Sequence, residues 1–129
     1  YALPTPDSGF FILSWNVNGL GNRVKRGLIS RYVRQQKPTF VLLQETHLRG
    51  TDCRFLSRGA YVLLAHAGYT TGSHGMANLA RKQSPFHVTR TWIDPLGRYV
   101  AVQGLWNKIR LNLMSIYARP DFRKPLSMR

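Results

Sequence analysis

The chain is 129 residues long, 43% hydrophobic, and carries 19 Lys plus Arg against five Asp plus Glu, for a formal net charge of +14 at pH 7. That length holds one domain rather than two, and that hydrophobic share excludes a disordered chain. A single cysteine, Cys53, excludes an internal disulfide and a zinc site built on several thiolates, and no apolar run reaches the ~20 residues that would span a bilayer.

In chain order, residues 1–9 hold Pro4, Pro6 and Asp7 and read as a lead-in. Phe10 to Trp15 is an apolar run of strand length, ending on the turn formers Asn16, Asn18, Gly19 and Gly21. Val24, Leu28, Ile29, Tyr32 and Val33 then recur at helical spacing, with Arg23, Lys25, Arg26, Arg31 and Arg34 on the other faces. Asn22 is placed to cap this helix, Pro38 bars its continuation, and Gly27 weakens it. Phe40 to Leu43 is a second strand, so the opening predicts a crossover joining two parallel strands.

The remainder reads as β. Tyr61–Leu64, Met76–Ala80, His87–Trp92, Tyr99–Leu105 and Leu111–Ala118 are the candidate strands. Gly68–Gly75, Ser84-Pro85, Asp94–Gly97 and Asn107-Lys108 separate them, as expected of an antiparallel meander. The tail over 119–129, with Arg123, Lys124, Pro125 and Arg129, reads as an interrupted connection, and Tyr1 in place of methionine as a piece of a longer product. The expected domain is therefore a partial one over 10–118. No signal peptide is legible, so the expected location is nuclear or cytoplasmic rather than secreted.

An excess of cations rich in arginine suits phosphate, because the planar guanidinium pairs with it bidentately. The partner classes it implies are DNA, RNA or an anionic membrane surface; the alternative is a solvated basic face with no partner. Arg23, Arg26, Arg31 and Arg34 on the helix are the candidate nucleic-acid contacts. A non-catalytic basic binding module is one reading of the whole chain.

Polar residues stand where buried strands end, which is where ligands collect in α/β sheets. Glu45 follows Val-Leu-Leu-Gln and is one of only two acids between Gly9 and Asp94. It is a hard oxygen ligand for a divalent cation or, alternatively, the partner of an arginine. Asn16 and Asn18 offer neutral amides that orient a carboxylate, water or phosphate, and are equally ordinary turn residues. Tyr117 brings a phenol to the end of a strand, or simply fills it. His47 shares a face with Glu45 if the strand persists, and otherwise sits in a loop near the site. His47, His66, His74 and His87 lack the close spacing of a structural zinc motif.

Ser14-Trp15-Asn16-Val17-Asn18-Gly19-Leu20, then Gln44-Glu45-Thr46-His47-Leu48, then Ile116-Tyr117-Ala118 resemble, in order and spacing, the endonuclease/exonuclease/phosphatase superfamily. Gly75-Met76-Ala77-Asn78-Leu79 and Asp94-Pro95-Leu96-Gly97-Arg98 add to the match. The closest resemblance within it is to the apurinic-type endonuclease domain of LINE-like non-LTR retrotransposons. That resemblance implies an α/β (α+β) fold, the N-terminal half of a four-layer α/β sandwich. It implies Mg²⁺, or Mn²⁺ in its place, as cofactor and DNA as substrate. By position, Asn16 resembles the active-site asparagine, Glu45 the metal ligand and Tyr117 the tyrosine at the scissile phosphate, with Asn18 and His47 as supporting positions.

The family's Asp-x-Asn segment and closing Asp-His pair have no counterpart here. Arg119-Pro120 replaces the usual Pro-Asn, and Asn78 stands at a usually apolar strand position. The expectation is a fragment inactive by itself, with an apolar face of its first sheet exposed unless a missing C-terminal half or self-association covers it. The remaining alternatives are a phosphatase acting on phosphoinositides or other lipid head groups and a decayed retroelement remnant.

Overall fold

Asn22 opens the one α-helix found among the described residues. Its side-chain oxygen accepts from the backbone amides of Val24 and Lys25 at 2.8 and 3.1 Å, satisfying donors that the first turn leaves unpaired. The helix, α1, runs Arg23–Gln36 and ends where Lys37 turns left-handed (φ 52°), donating its amide to the Val33 carbonyl just ahead of Pro38. These positions come from a computed structural model that describes residues 10–49, 55–57, 59–70 and 73–117. The expected lead-in over 1–9 and tail over 119–129 lie outside the described residues.

Seven strands accompany α1: β1 (Ile12–Asn16), β2 (Phe40–Gln44), β3 (Tyr61–Thr70), β4 (Ser73–Arg81), β5 (Phe86–Ile93), β6 (Tyr99–Trp106) and β7 (Ile109–Ile116). They form a four-stranded sheet in the order β1-β2-β4-β3 and a three-stranded sheet in the order β5-β6-β7. β1 and β2 pair parallel across the helical crossover, as expected from the opening pattern. The later strands do not form one meander. β3 and β4 make a hairpin whose second strand pairs antiparallel with β2, and only β5, β6 and β7 run on as a meander. The segment Gly68–Gly75, expected as a loop, is mostly strand: β3 reaches Thr70 and β4 begins at Ser73. Backbone pairing of Thr70 with Ser73 and Tyr69 with His74 overrides the weak strand preference of glycine there.

Over β2 and β4 the first sheet is covered on both faces, contrary to the expectation of an exposed apolar face, which survives at the edge strands, where Ile12 on β1 is 40% and Val62 on β3 37% exposed. Val41, Leu43, Ala77 and Leu79 pack with Ile29, Val17, Leu20 and Leu48 on the helix side. On the other side Phe40, Leu42 and Ala80 pack with Trp106 and Leu113, and Ala65, Ala67 and Met76 with Val100 and Val102. Helix, first sheet and second sheet thus supply three layers. The α/β architecture and these layers agree with the N-terminal half expected from the resemblance.

Apolar surface is displaced elsewhere. Val24 and Leu28 were expected to face the core, yet they are 71% and 58% exposed, because α1 docks through Ile29 and Val33 with Arg26 lying over the Phe55 ring at 4.5 Å. On the outward face of β7, Met114 and Ile116 are also exposed.

Asn78 is fully buried between the two sheets. Its amide nitrogen reaches the Val100 and Leu113 carbonyls, each at 3.4 Å, and its oxygen accepts from the Ser115 hydroxyl at 2.7 Å. The polar residue at a usually apolar position is therefore a bridge from β4 to β6 and β7, satisfied on both ends as burial demands.

Candidate active site

Three segments converge at the ends of β1, β2 and β7. Past β1 and β2 the parallel pairing continues through loop backbone: Val17, Gly19 and Leu20 amides donate to the Gln44, Glu45 and Thr46 carbonyls at 3.0, 2.7 and 2.8 Å. On the other side, the Thr46 and His47 amides donate to the Gly75 and His74 carbonyls at 3.2 and 2.7 Å. The segment from Glu45 to His47 is thus clamped between two neighbours without being strand.

Its backbone is unusual. Glu45 (φ 55°) and His47 (φ 57°) are left-handed on either side of Thr46, which is 1% exposed, and Asn18 opposite has φ 49°. Three of the five described non-glycine residues with positive φ therefore sit in this one place. Such residues cost on the order of 1–2 kcal/mol each and concentrate where the surrounding structure holds a functional geometry. Alternation about buried Thr46 turns Glu45 and His47 outward together. β2 ends at Gln44, so His47 is the loop residue of the two readings given to it, yet the loop brings its Nε2 within 4.0 Å of Glu45 Oε1.

The Asn16 side-chain nitrogen donates to Glu45 Oε2, and the Asn16 side-chain oxygen accepts from the Asn18 backbone N–H at 3.1 Å. Asn16 thereby orients the carboxylate while Asn18 orients Asn16. The Asn16 hydrogen bond holds the Glu45 carboxyl below the usual carboxylate range; partial burial opposes this, and His74 and His47 add to the lowering. Glu45 makes no ion pair to an arginine among the described residues, where the side chains facing its Oε1 are the imidazoles of His47 and His74.

His74 completes the group and was not singled out from sequence. Its Nδ1 lies 3.5 Å from Glu45 Oε1 and 3.4 Å from the Tyr117 hydroxyl. The only signal for it is the strand order: with Gln44 opposite Met76, antiparallel extension sets Thr46 opposite His74. Tyr117 follows β7, and its amide donates to the Arg98 carbonyl at 2.7 Å, which hangs the site tyrosine on the β5–β6 turn.

That turn is built by Asp94. Its carboxylate accepts from the Arg98 amide at 2.9 Å and from the Arg98 guanidinium at 2.6 and 3.1 Å, and its own amide donates to the Tyr99 carbonyl at 3.1 Å. The Arg98 side chain lowers the Asp94 carboxyl to about 2. A lowered carboxyl stabilises the fold fully above its unfolded pKa of about 4, and that contribution disappears as pH falls through about 2. Asp94→Asn is therefore expected to flatten the decline of urea midpoints between pH about 4 and about 2. An unchanged acid limb would count against this role.

The helix arginines are not gathered at the site. The N-terminus of α1 adjoins it, where Lys25 Nζ donates to the Asn18 carbonyl at 2.9 Å. Arg26 instead turns inward, its Nε donating to the Leu20 carbonyl. Arg31 and Arg34 are exposed, but about 12 and 16 Å further along the helix axis than Arg23 at 1.5 Å per residue.

A family model described as "Endonuclease/Exonuclease/phosphatase family" matches residues 13–125. Among solved structures, the chain is similar to truncated Caenorhabditis elegans TDP2, with TM-score 0.67 and 16% identity over 88% of this chain and 49% of that one. It is similar to the AP endonuclease LMAP from Leishmania major, with TM-score 0.62 and 19% identity over 92% and 45%. The endonuclease domain of TRAS1, a telomere-specific non-LTR retrotransposon, matches with TM-score 0.59 and 16% identity over 92% and 49%. The chain spans less than half the length of each structure. No helix among the described residues is long and apolar enough to cross a membrane.

Proposed function

The chain belongs to the Endonuclease/Exonuclease/phosphatase family, and from that premise we propose that it supplies the cation-binding part of a DNA phosphodiesterase. In this role Glu45 holds Mg²⁺, or Mn²⁺ in its place, while Asn16 and Tyr117 serve the scissile phosphate. The observation that carries this reading is the Asn16–Glu45 hydrogen bond at the ends of two adjacent parallel strands, which fixes a carboxylate kept ionised at neutral pH.

The residues fit a hard cation. Glu45 is a carboxylate on a rigid loop, its side chain 25% exposed, with no arginine to neutralise it among the described residues. A bound divalent cation would supply charge stabilisation to a phosphodiester oxygen. Asn16 holds the carboxylate through one oxygen, leaving Oε1 directed toward the two histidines. The Tyr117 phenol is a donor that can serve a phosphate oxygen without carrying charge. Exposed Arg23 and half-buried Lys25 at the start of α1 are the basic groups best placed for DNA, with Arg31 and Arg34 serving as distant phosphate contacts. Arg26, engaged with Leu20 and Phe55, is assigned to packing.

The test is Mn²⁺ binding read by electron paramagnetic resonance, together with anisotropy of a labelled DNA duplex across a salt series. Glu45→Gln is expected to weaken Mn²⁺ binding by at least about tenfold, and DNA affinity should fall steeply with salt. Equal Mn²⁺ binding by the variant would overturn the assignment. DNA binding indifferent to both the cation and Glu45 would favour a non-catalytic basic module.

A further inference from the structure

The family reading needs only the carboxylate of Glu45, yet two imidazoles face that carboxylate. One ligand atom each from Glu45, His47 and His74 lies within 4.8 Å of the other two. Glu45 Oε1 is 3.5 Å from His74 Nδ1 and 4.0 Å from His47 Nε2. A point equidistant from three atoms so placed lies no more than about 2.8 Å from each, against about 2.0–2.2 Å for bonds to zinc. Small side-chain rotations close that gap.

We propose that Glu45, His47 and His74 form a site for a transition-metal ion of the Zn²⁺ class, with its open position beside the Tyr117 hydroxyl. The inference rests on Glu45 facing a cation, as proposed above, and changes which cation the pocket prefers. Imidazole nitrogen suits zinc, copper, iron or nickel, whereas Mg²⁺ selects oxygen and keeps its waters. Two histidines and one carboxylate with an open fourth position is the donor set of a catalytic rather than a structural zinc site.

Backbone geometry holds the three donors. The His47 amide donates to the His74 carbonyl at 2.7 Å, so the histidines come from facing segments, with their rings at 5.3 Å in an edge-on arrangement. Gly19 lies against His47: a Cβ there would approach the ring Nδ1 to 2.8 Å. The Tyr117 hydroxyl shares His74 Nδ1 with the carboxylate. Metal at that nitrogen would displace the phenol hydrogen bond and leave the hydroxyl next to the open position.

Co²⁺ and Zn²⁺ added to the purified full chain test this. Co²⁺ is expected to develop the intense visible bands of a low-coordinate site with nitrogen ligands, and Zn²⁺ to bleach them. His74→Ala and, separately, His74→Gln should each weaken Zn²⁺ binding by at least about 10- to 100-fold, and by more than they weaken Mn²⁺ binding. Near-ultraviolet circular dichroism establishes that each variant is folded. Unchanged Zn²⁺ affinity in either folded variant would overturn the site and make His74 a hydrogen-bonding neighbour of Glu45, leaving the Mn²⁺ reading standing. Mn²⁺ binding indifferent to Glu45→Gln, with Co²⁺ bands that survive in the same variant, would overturn both readings.

Discussion

Purified chain mixed with supercoiled plasmid and Mg²⁺ is expected to leave the DNA unnicked. In-line hydrolysis of a phosphodiester needs a cation, a base to take the proton of water, and donors for the charge that develops on phosphate. In the proposed reading Glu45 answers to the cation, and Asn16 and Tyr117 to the phosphate. The Asp-x-Asn and Asp-His segments that supply the base and further phosphate contacts in the family have no counterpart in these 129 residues: the one acid after Tyr117 is Asp121, and no histidine follows His87.

A positioned base contributes about 10²–10⁴ in rate, and an oxyanion donor about 10²–10³. Their joint absence removes on the order of 10⁴–10⁷, enough to put nicking below detection. Mg²⁺-dependent nicking that vanishes in Glu45→Ala would show that the chain assembles a base of its own. His47 and His74 would then be the first residues to substitute, since each lies within 4.0 Å of the carboxylate.

Gly75→Ala is expected to destabilise the fold by about 2–4 kcal/mol and to weaken cation binding in the molecules that remain folded. Gly75 has φ 90°, where any Cβ is strained, and the added carbon would come within 2.5 Å of Thr46 Oγ1. Thr46 cannot easily yield. It is 1% exposed, its Oγ1 accepts from the Leu48 amide at 3.4 Å, and its amide donates to the Gly75 carbonyl at 3.2 Å. Any shift of Thr46 moves Glu45 and His47, which flank it.

Gly27→Ala is the informative contrast. Nothing lies within 4 Å of a Cβ there, and the residue is helical. Alanine at that position should raise stability by up to about 1 kcal/mol. Urea unfolding of both variants reads the two signs; a neutral Gly75→Ala would mean that the Thr46 clamp does not hold the site.

Much of the site's first half was legible without coordinates. The apolar run ending at Asn16 and the run Phe40–Leu43 leading to Glu45 each mark a buried strand followed by a polar residue. A parallel crossover brings two such strand ends to the same edge. That arrangement is local in its causes: hydrophobic periodicity, an asparagine cap and a proline stop. The ordered motifs add the family, because they register these same strand ends.

His74 was invisible for the opposite reason. It sits in a glycine-rich stretch that reads as a loop, and becomes part of the site only because β4 inserts between β2 and β3. Asn78 looked like a departure from an apolar pattern, and its partners on β6 and β7 are 22 to 37 residues away. Arg26 counted among the basic helix residues until docking through Ile29 and Val33 turned it toward Leu20 and Phe55.

Sequence alone determined the β1–α1–β2 opening, the family and the positions of Asn16, Glu45 and Tyr117, since each follows from a pattern within a short segment. Only the tertiary structure decided the split into two sheets, the burial of Asn78 and the joining of His47 and His74 to Glu45. Periodicity records which face of a segment is buried, whereas strand partners are chosen by burial and hydrogen bonding summed over the whole chain.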